Sequence, residues 1–172
     1  MPVARVPYND PARIQRGLDA GALGITVPPI HPAEDACRVV RDARYAGVGE
    51  RSYGSSRVAP CIDGDYRPWT GENLVVIAML ESIQAVENAE AILSVEGITG
   101  CLIGPNDLAI SRGYRPQDQG PGTQHEEAVM RGLEAAKKTG KAAGKNCYTA
   151  AEVTERIAQG FQFLSISSDA GY

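Results

Sequence analysis

Leu74-Val-Val-Ile-Ala-Met-Leu80 is an unbroken apolar run ending at Glu81, and Ser82 to Val95 (SIQAVENAEAILSV) follows with Ile83, Val86, Ala89, Ile92 and Leu93 at helical spacing. A short apolar run of this kind reads as a strand buried on both faces. The amphipathic segment behind it reads as the crossover helix that leads to a parallel neighbour. This βα unit decides the fold class, because the same pattern recurs on both sides of it.

Upstream, Val3 to Arg5 is a short extended piece stopped by Pro7. NDPARIQRGLDAG (9–21) then predicts a helix capped by Asn9 or Asp10, with Pro11 in its first turn and Gly21 at its end. GITVP, from Gly24 to Pro28, predicts a buried strand, and Ala36, Val39, Val40 and Ala43 mark a helix from about Pro32 to about Arg44. From Tyr45 to Gly71 the pattern collapses into Gly, Ser, Arg, Asp and Pro, a loop whose length points to function or disorder.

Downstream, Gly100 to Gly104 is a strand, and a helix runs from about Gln124 to Lys138. Ala142 to Cys147 is a weak strand, Ala150 to Gln159 a helix, and Phe161 to Ser167 a last strand. Six strands alternating with five helices predict an α/β fold with a parallel sheet and right-handed crossovers, either open and doubly wound or a barrel. No G-x-G-x-x-G follows the first strand and no G-x-x-x-x-G-K-[ST] occurs, so the dinucleotide and P-loop fingerprints are missing. Polar residues instead sit just past several strand ends, where a barrel builds its active site.

A chain of 172 residues fits one domain, and 43% apolar with 22% charged residues excludes disorder. The net charge is −4 and the 17 Lys and Arg are dispersed, which excludes the basic footprint of a nucleic-acid partner. No apolar run approaches the roughly 20 residues of a membrane span, and MPVARVPYND carries no secretion signal, so a soluble, cytoplasmic protein without a membrane partner is expected. Cys37, Cys61, Cys101 and Cys147 form no C-x-x-C pair and read as buried free thiols.

Arg5 ends the first strand, Glu81 follows the strand Leu74 to Leu80, and Asp107 lies in the turn GPNDLA. Parallel strands bring all three to one rim. Two carboxylates one βα unit apart can each give an oxygen to a hard cation such as Mg²⁺ or Mn²⁺, leaving positions for water and substrate oxygens. An arginine beside them would hold a carboxylate or a developing oxyanion. Taken singly, Glu81 also suits a helix lead-in, Asp107 an N-cap and Arg5 a surface position; their coincidence at one rim raises the functional reading.

In Gly104-Pro105-Asn106-Asp107 the glycine admits a ligand to the backbone, and the free amides of Asn106 and Asp107 would receive a substrate carboxylate; an ordinary strand-to-helix turn has the same composition. His31 lies on the favourable rim, although its place before Pro32 better suits a helix lead-in, and His125 is expected at the surface. Arg51 and Arg57, in GVGERSYGSSRVAP, belong to a substrate-covering loop, a subunit contact or a plain solvated loop.

ARVPYNDPARIQRGLDAGALGITVP (4–28), RYAGVGERSYGSSR (44–57), MLESIQAVENAEAILSVEGITGCLIGPNDLAISRGY (79–114), KAAGKN (141–146) and FLSISSDAGY (163–172) together resemble the HpcH/HpaI aldolase family. These are metal-dependent, pyruvate-forming aldolases of the phosphoenolpyruvate/pyruvate barrel superfamily. The resemblance implies a class II retro-aldol cleavage of a small-molecule 4-hydroxy-2-oxo acid to pyruvate and an aldehyde, with Mg²⁺, Mn²⁺ or Co²⁺ as cofactor. It assigns Glu81 and Asp107 as metal ligands and Arg5 as the arginine that steadies the enolate. It makes the backbone of Gly104, Asn106 and Asp107 the carboxylate pocket, and gives Asp19 a reach into an adjacent subunit's site of a homo-oligomer, a trimer or hexamer.

The resemblance also shows departures. The family's base, a histidine with a partner acid, lies upstream of its arginine, on a part of the barrel that precedes the strand of Arg5. Met79 stands where a glutamine is common. The chain is therefore expected to form an incomplete TIM (β/α)8-type barrel without the first two strands and the C-terminal helices. Two alternatives follow: a truncated member that only binds metal and 2-oxo acid or assembles, and related enolate chemistry such as oxaloacetate decarboxylation or condensation.

Overall fold

The computed structural model describes residues 1–54, 57–166, 168 and 169, with Cys61 described by its backbone alone. Its six strands are β1 (Val3–Arg5), β2 (Gly24–Val27), β3 (Val75–Leu80), β4 (Gly100–Ile103), β5 (Ala142–Cys147) and β6 (Phe163–Ile166). All neighbours pair in parallel, in the order β1-β2-β3-β4-β5-β6. A doubly wound sheet reverses its strand order at a switch point; this one never does, so the crossovers wind in a single sense as they do in a barrel. The result is the curled, incomplete TIM-type sheet expected from the sequence.

The helices are α1 (Pro11–Asp19), α2 (Ala33–Ala43), α3 (Tyr66–Asn73), α4 (Ile83–Glu87), α5 (Ala89–Leu93), α6 (Pro105–Ser111), α7 (Gln124–Thr139) and α8 (Ala150–Gln159). Residues of alternating parity on each strand separate the two sheet faces. Ile25, Val27, Val76, Ala78, Leu80, Cys101, Ile103 and Ala143 face the helices and form the main core with residues such as Ile14, Leu18, Val39, Ile92, Val129 and Leu133. Val3, Val75, Ile77, Met79, Leu102 and Phe163 form a second apolar cluster on the other face. Gly132 lets α7 lie close on β4, since a Cβ there would stand 2.7 Å from Ile103 Cδ1.

Several local expectations are corrected. The stretch from Tyr45 to Gly71 contains a 3-10 turn at Ala59–Cys61 and most of α3, whose first turn is capped by the Asp65 side chain on the Arg67 amide. Its low apolar periodicity hid a helix that buries only Tyr66 and Thr70. The single helix expected after β3 breaks into α4 and α5 at Asn88, where ψ turns to 7°. The turn GPNDLA is the first part of a helix, α6. The last strand spans Phe163–Ile166, and Ser167 lies outside the described residues. Of the cysteines expected to be buried, Cys101 and Cys147 are, and Cys37 is exposed on α2; burial pushes the Cys101 thiol up to about 12. Among the described residues, no helix is long and apolar enough to cross a membrane.

Arg44 ties the strand-leading end of the sheet together. Its buried guanidinium donates to the carbonyls of Thr70 (3.0 Å), Gly71 (3.2 Å), Leu74 (3.2 Å) and Gly97 (2.9 Å), joining the end of α2 to the end of α3 and the lead into β4.

Candidate active site

Strand parity places the candidate residues. In β3, Val75, Ile77 and Met79 face away from the helices, and continuing the alternation puts Glu81 on that same inner face. Arg5 shares the face of Val3, and Gly104 that of Leu102. Arg5 pairs in register with Thr26, which pairs with Ile77, yet its Nε lies 3.3 Å from Met79 Sδ. The arginine side chain therefore climbs along the inner face toward the strand ends, with the thioether as a weak acceptor.

Glu81 is held differently. Its Oε2 is buried and has no hydrogen-bond partner. Burial pushes its carboxyl above the ordinary range and the like charge of Asp107 adds to this, while Arg5 and His31 pull the other way. A Cβ at Gly104 would stand 3.0 Å from Glu81 Cβ and 3.1 Å from Oε2, so the glycine keeps open the space the carboxylate uses. A buried carboxylate oxygen without a donor, raised further by the like charge of a second carboxylate, is the kind of oxygen ligand a hard cation takes. Among the described residues no group of three or more His, Cys, Asp or Glu forms a metal cluster, so Glu81 and Asp107 would leave the remaining positions to water or substrate.

Asp107 lies in the first turn of α6 with Asn106, and both are exposed. Asn106 Oδ1 accepts from Tyr148 Oη at 2.7 Å and from Gln119 Nε2 at 3.0 Å. On the same inner face Ser165 Oγ donates to Asn146 Oδ1 at 2.7 Å. The motif that marks Asn106 gave no sign of Tyr148 or Gln119, and none marks the Ser165–Asn146 pair; strand alternation in Ala142–Cys147 would have placed Asn146 beside Gly144 on the inner face.

His31 lies past β2 near this rim, with Nδ1 2.9 Å from Ser82 Oγ and its backbone amide donating to Asp35 Oδ2 at 2.9 Å. Ser82 in turn caps α4 by accepting from the Ala85 amide at 3.1 Å. His125, expected at the surface, is buried at 1% exposure, with Nε2 2.9 Å from the Pro105 carbonyl oxygen. The polar residues around it concealed that it sits on the inward side of α7.

Asp19 is not brought to this rim. It ends α1, so the crossover places it at the end of the sheet where strands begin, with Leu23 donating to the Pro2 carbonyl nearby. There Arg51 Nη2 donates to Asp19 Oδ1 at 2.6 Å. The Arg51 side chain is fully buried and its guanidinium lies 4.7 Å from the Tyr45 ring centroid. Arg51 is thus an anchor of its loop, and Arg57 follows by donating its backbone amide to the Asp19 carbonyl at 3.0 Å.

The family model for HpcH/HpaI aldolase/citrate lyase matches residues 1–172. The hydroxypyruvate/pyruvate aldolase of Rhizorhabdus wittichii is 33% identical over 168 residues, covering 98% of this chain and 67% of that protein. The 5-keto-4-deoxy-D-glucarate aldolase of Shigella dysenteriae is 32% identical over 172 residues, covering 99% of this chain and 66% of that protein. The crystal structure of a family protein from Burkholderia cenocepacia superposes with a TM-score of 0.89 at 30% identity, over 99% of this chain and 68% of that one. The chain thus spans about two thirds of the length of the relatives it matches. With a family match over its full length and a sheet that superposes on a solved member, the chain belongs to the HpcH/HpaI aldolase/citrate lyase family.

Proposed function

We propose that this chain carries the cation and 2-oxo acid site of a pyruvate-type class II aldolase, a carbon–carbon lyase that cleaves 4-hydroxy-2-oxo acids to pyruvate and an aldehyde. The observation that carries the reading is the buried, partnerless Oε2 of Glu81, set over Gly104 and facing the charges of Asp107 and Arg5. Glu81 and Asp107 hold the divalent cation, Mg²⁺, Mn²⁺ or Co²⁺. When bound, it supplies Lewis-acid charge beside the substrate's 2-oxo group. The backbone of Gly104, Asn106 and Asp107 receives the substrate carboxylate, which orients the C3–C4 bond.

In the cleavage the 4-hydroxyl gives its proton to a general base, the role the family resemblance assigns to a histidine upstream of its arginine; the C3–C4 bond breaks, its electron pair passes into the pyruvate enolate, C4 becomes the aldehyde carbonyl, and the enolate takes up a proton at C3 to give pyruvate. Arg5 stabilises the negative charge that grows on the enolate oxygen. In the homo-oligomer the family resemblance implies, Asp19 serves a neighbouring copy, since within one chain it lies at the far end of the sheet. The test is pyruvate release from 4-hydroxy-2-oxo acids with each of the three cations; activity unchanged by EDTA or by Glu81→Ala sinks the reading.

A second reading rests on the histidines. His31 Nδ1 is engaged by Ser82 and His125 is buried against Pro105, so neither joins Arg5 as a base for the 4-hydroxyl. Oxaloacetate decarboxylation needs no such base: the C3–C4 bond breaks, CO₂ leaves and the pair enters the same enolate. Parallel assays with oxaloacetate and a 4-hydroxy-2-oxo acid separate the two, as decarboxylation alone would favour the second.

A further inference from the structure

The Gly104–Asp107 segment is gripped from the helical layer. His125 Nε2 lies 2.9 Å from the Pro105 carbonyl oxygen, which can only accept, so Nε2 carries the hydrogen. The other nitrogen, Nδ1, is buried and without a partner, as befits the unprotonated position of a neutral ring. Burial, with the charges of Lys145 and Arg112, keeps this imidazole below its ordinary pKa against the pull of the Pro105 hydrogen bond and Glu126.

The end of α7 that bears His125 is itself fixed. Glu126 binds both terminal nitrogens of Arg156 on α8, with Nη2 2.8 Å from Oε2. Lys145 of β5, 2% exposed, places Nζ 2.6 Å from Glu152 of the same helix. The imidazole therefore has little freedom to follow the turn it holds.

The consequence lies in one peptide plane. The Pro105 carbonyl and the Asn106 N–H belong to the same trans peptide, so they point in opposite directions. Holding the carbonyl toward α7 turns the Asn106 N–H away from the helical layer. We propose that His125 is a positioning residue for the 2-oxo acid site: by holding the Pro105 carbonyl, it aims the Asn106 backbone amide at the substrate carboxylate. The role rests on the aldolase-type reading of the site.

The test uses the whole chain loaded with Mn²⁺ and titrated with pyruvate and with oxalate, in wild type, His125→Leu and His125→Gln. Glutamine can place an N–H near the position of Nε2; leucine removes the donor. His125→Leu should weaken pyruvate and oxalate binding about ten-fold, the scale of one hydrogen bond, with Mn²⁺ affinity held within about two-fold. His125→Gln should recover most of the loss, and in samples carrying diamagnetic Mg²⁺ in place of Mn²⁺ the Asn106 amide proton shift should move in the leucine variant and return in the glutamine one. The wild-type imidazole should show the Nε2–H tautomer by long-range nitrogen NMR.

A folded His125→Leu with wild-type ligand affinity and an unmoved Asn106 amide overturns the proposal, as does an Nδ1–H tautomer. If His125→Leu does not fold, the tautomer and the Asn106 shift in His125→Gln decide the matter. Wild type that binds neither Mn²⁺ nor oxalate overturns the aldolase reading itself, a result distinct from ligand binding that ignores residue 125.

Discussion

Glu81 rests over the bare Cα of Gly104, so that a single added methyl would meet both its Cβ and its unpartnered Oε2. Gly104→Ala should displace the carboxylate without touching the main core on the other sheet face. Overpacking at such a contact costs about 1–3 kcal/mol, so Mn²⁺ affinity should fall about ten-fold or more. Calorimetric titration beside a thermal melt checks this; unchanged Mn²⁺ binding would mean that Glu81 is no ligand.

The raised carboxyl of Glu81 has a definite sign in stability. Because burial and then Asp107 lift it above its unfolded value, the protonated form suits the fold better. Its contribution is fully present below the ordinary glutamate range and is lost as pH rises through the raised folded value. Urea melts without divalent cation should show wild type losing stability relative to Glu81→Gln across that window, and added Mn²⁺ should reverse the loss. Parallel pH profiles for the two proteins would contradict the burial argument.

Met79 touches Arg5 through sulfur and lies on the inner apolar cluster. Met79→Leu keeps the volume, so stability should change by less than about 1.5 kcal/mol. The lost acceptor should let the guanidinium drift, lowering pyruvate affinity about two- to five-fold, the scale of a weak hydrogen bond. Met79→Gln, with an oxygen in reach, should bind at least as well as wild type. Equal affinities in all three would show that sulfur does not orient Arg5.

Arg44 provides a contrast at the other end of the sheet. Arg44→Met would strip donors from the carbonyls of Thr70, Gly71, Leu74 and Gly97. Charged hydrogen bonds and the unmet carbonyls together amount to about 3 kcal/mol or more. Denaturant melts should show this loss, while pyruvate affinity of the folded variant stays near wild type.

The parallel order and the rim were legible because continuous apolar runs such as Leu74–Leu80 ended in Glu81 and alternated with helical stripes. The position of Arg5, Glu81 and Asp107 at or just past strand ends was legible in the same pattern. What was not legible depends on contacts between distant segments. The burial of His125 requires α6 to present the Pro105 carbonyl 20 residues upstream. The pairing of Asp19 with Arg51 spans 32 residues. The helix at Tyr66–Asn73 buries only one side with Tyr66 and Thr70, too little periodicity to announce itself.

The strictly consecutive strand order has one more consequence, for assembly. Each strand finds its partner across a single intervening connection, never across two. Loop closure therefore involves one connection at every step, and even across the long one between Val27 and Val75 its entropic cost grows slowly with length. Such a topology lets a chain build outward from any one βα pair, adding neighbours in sequence order.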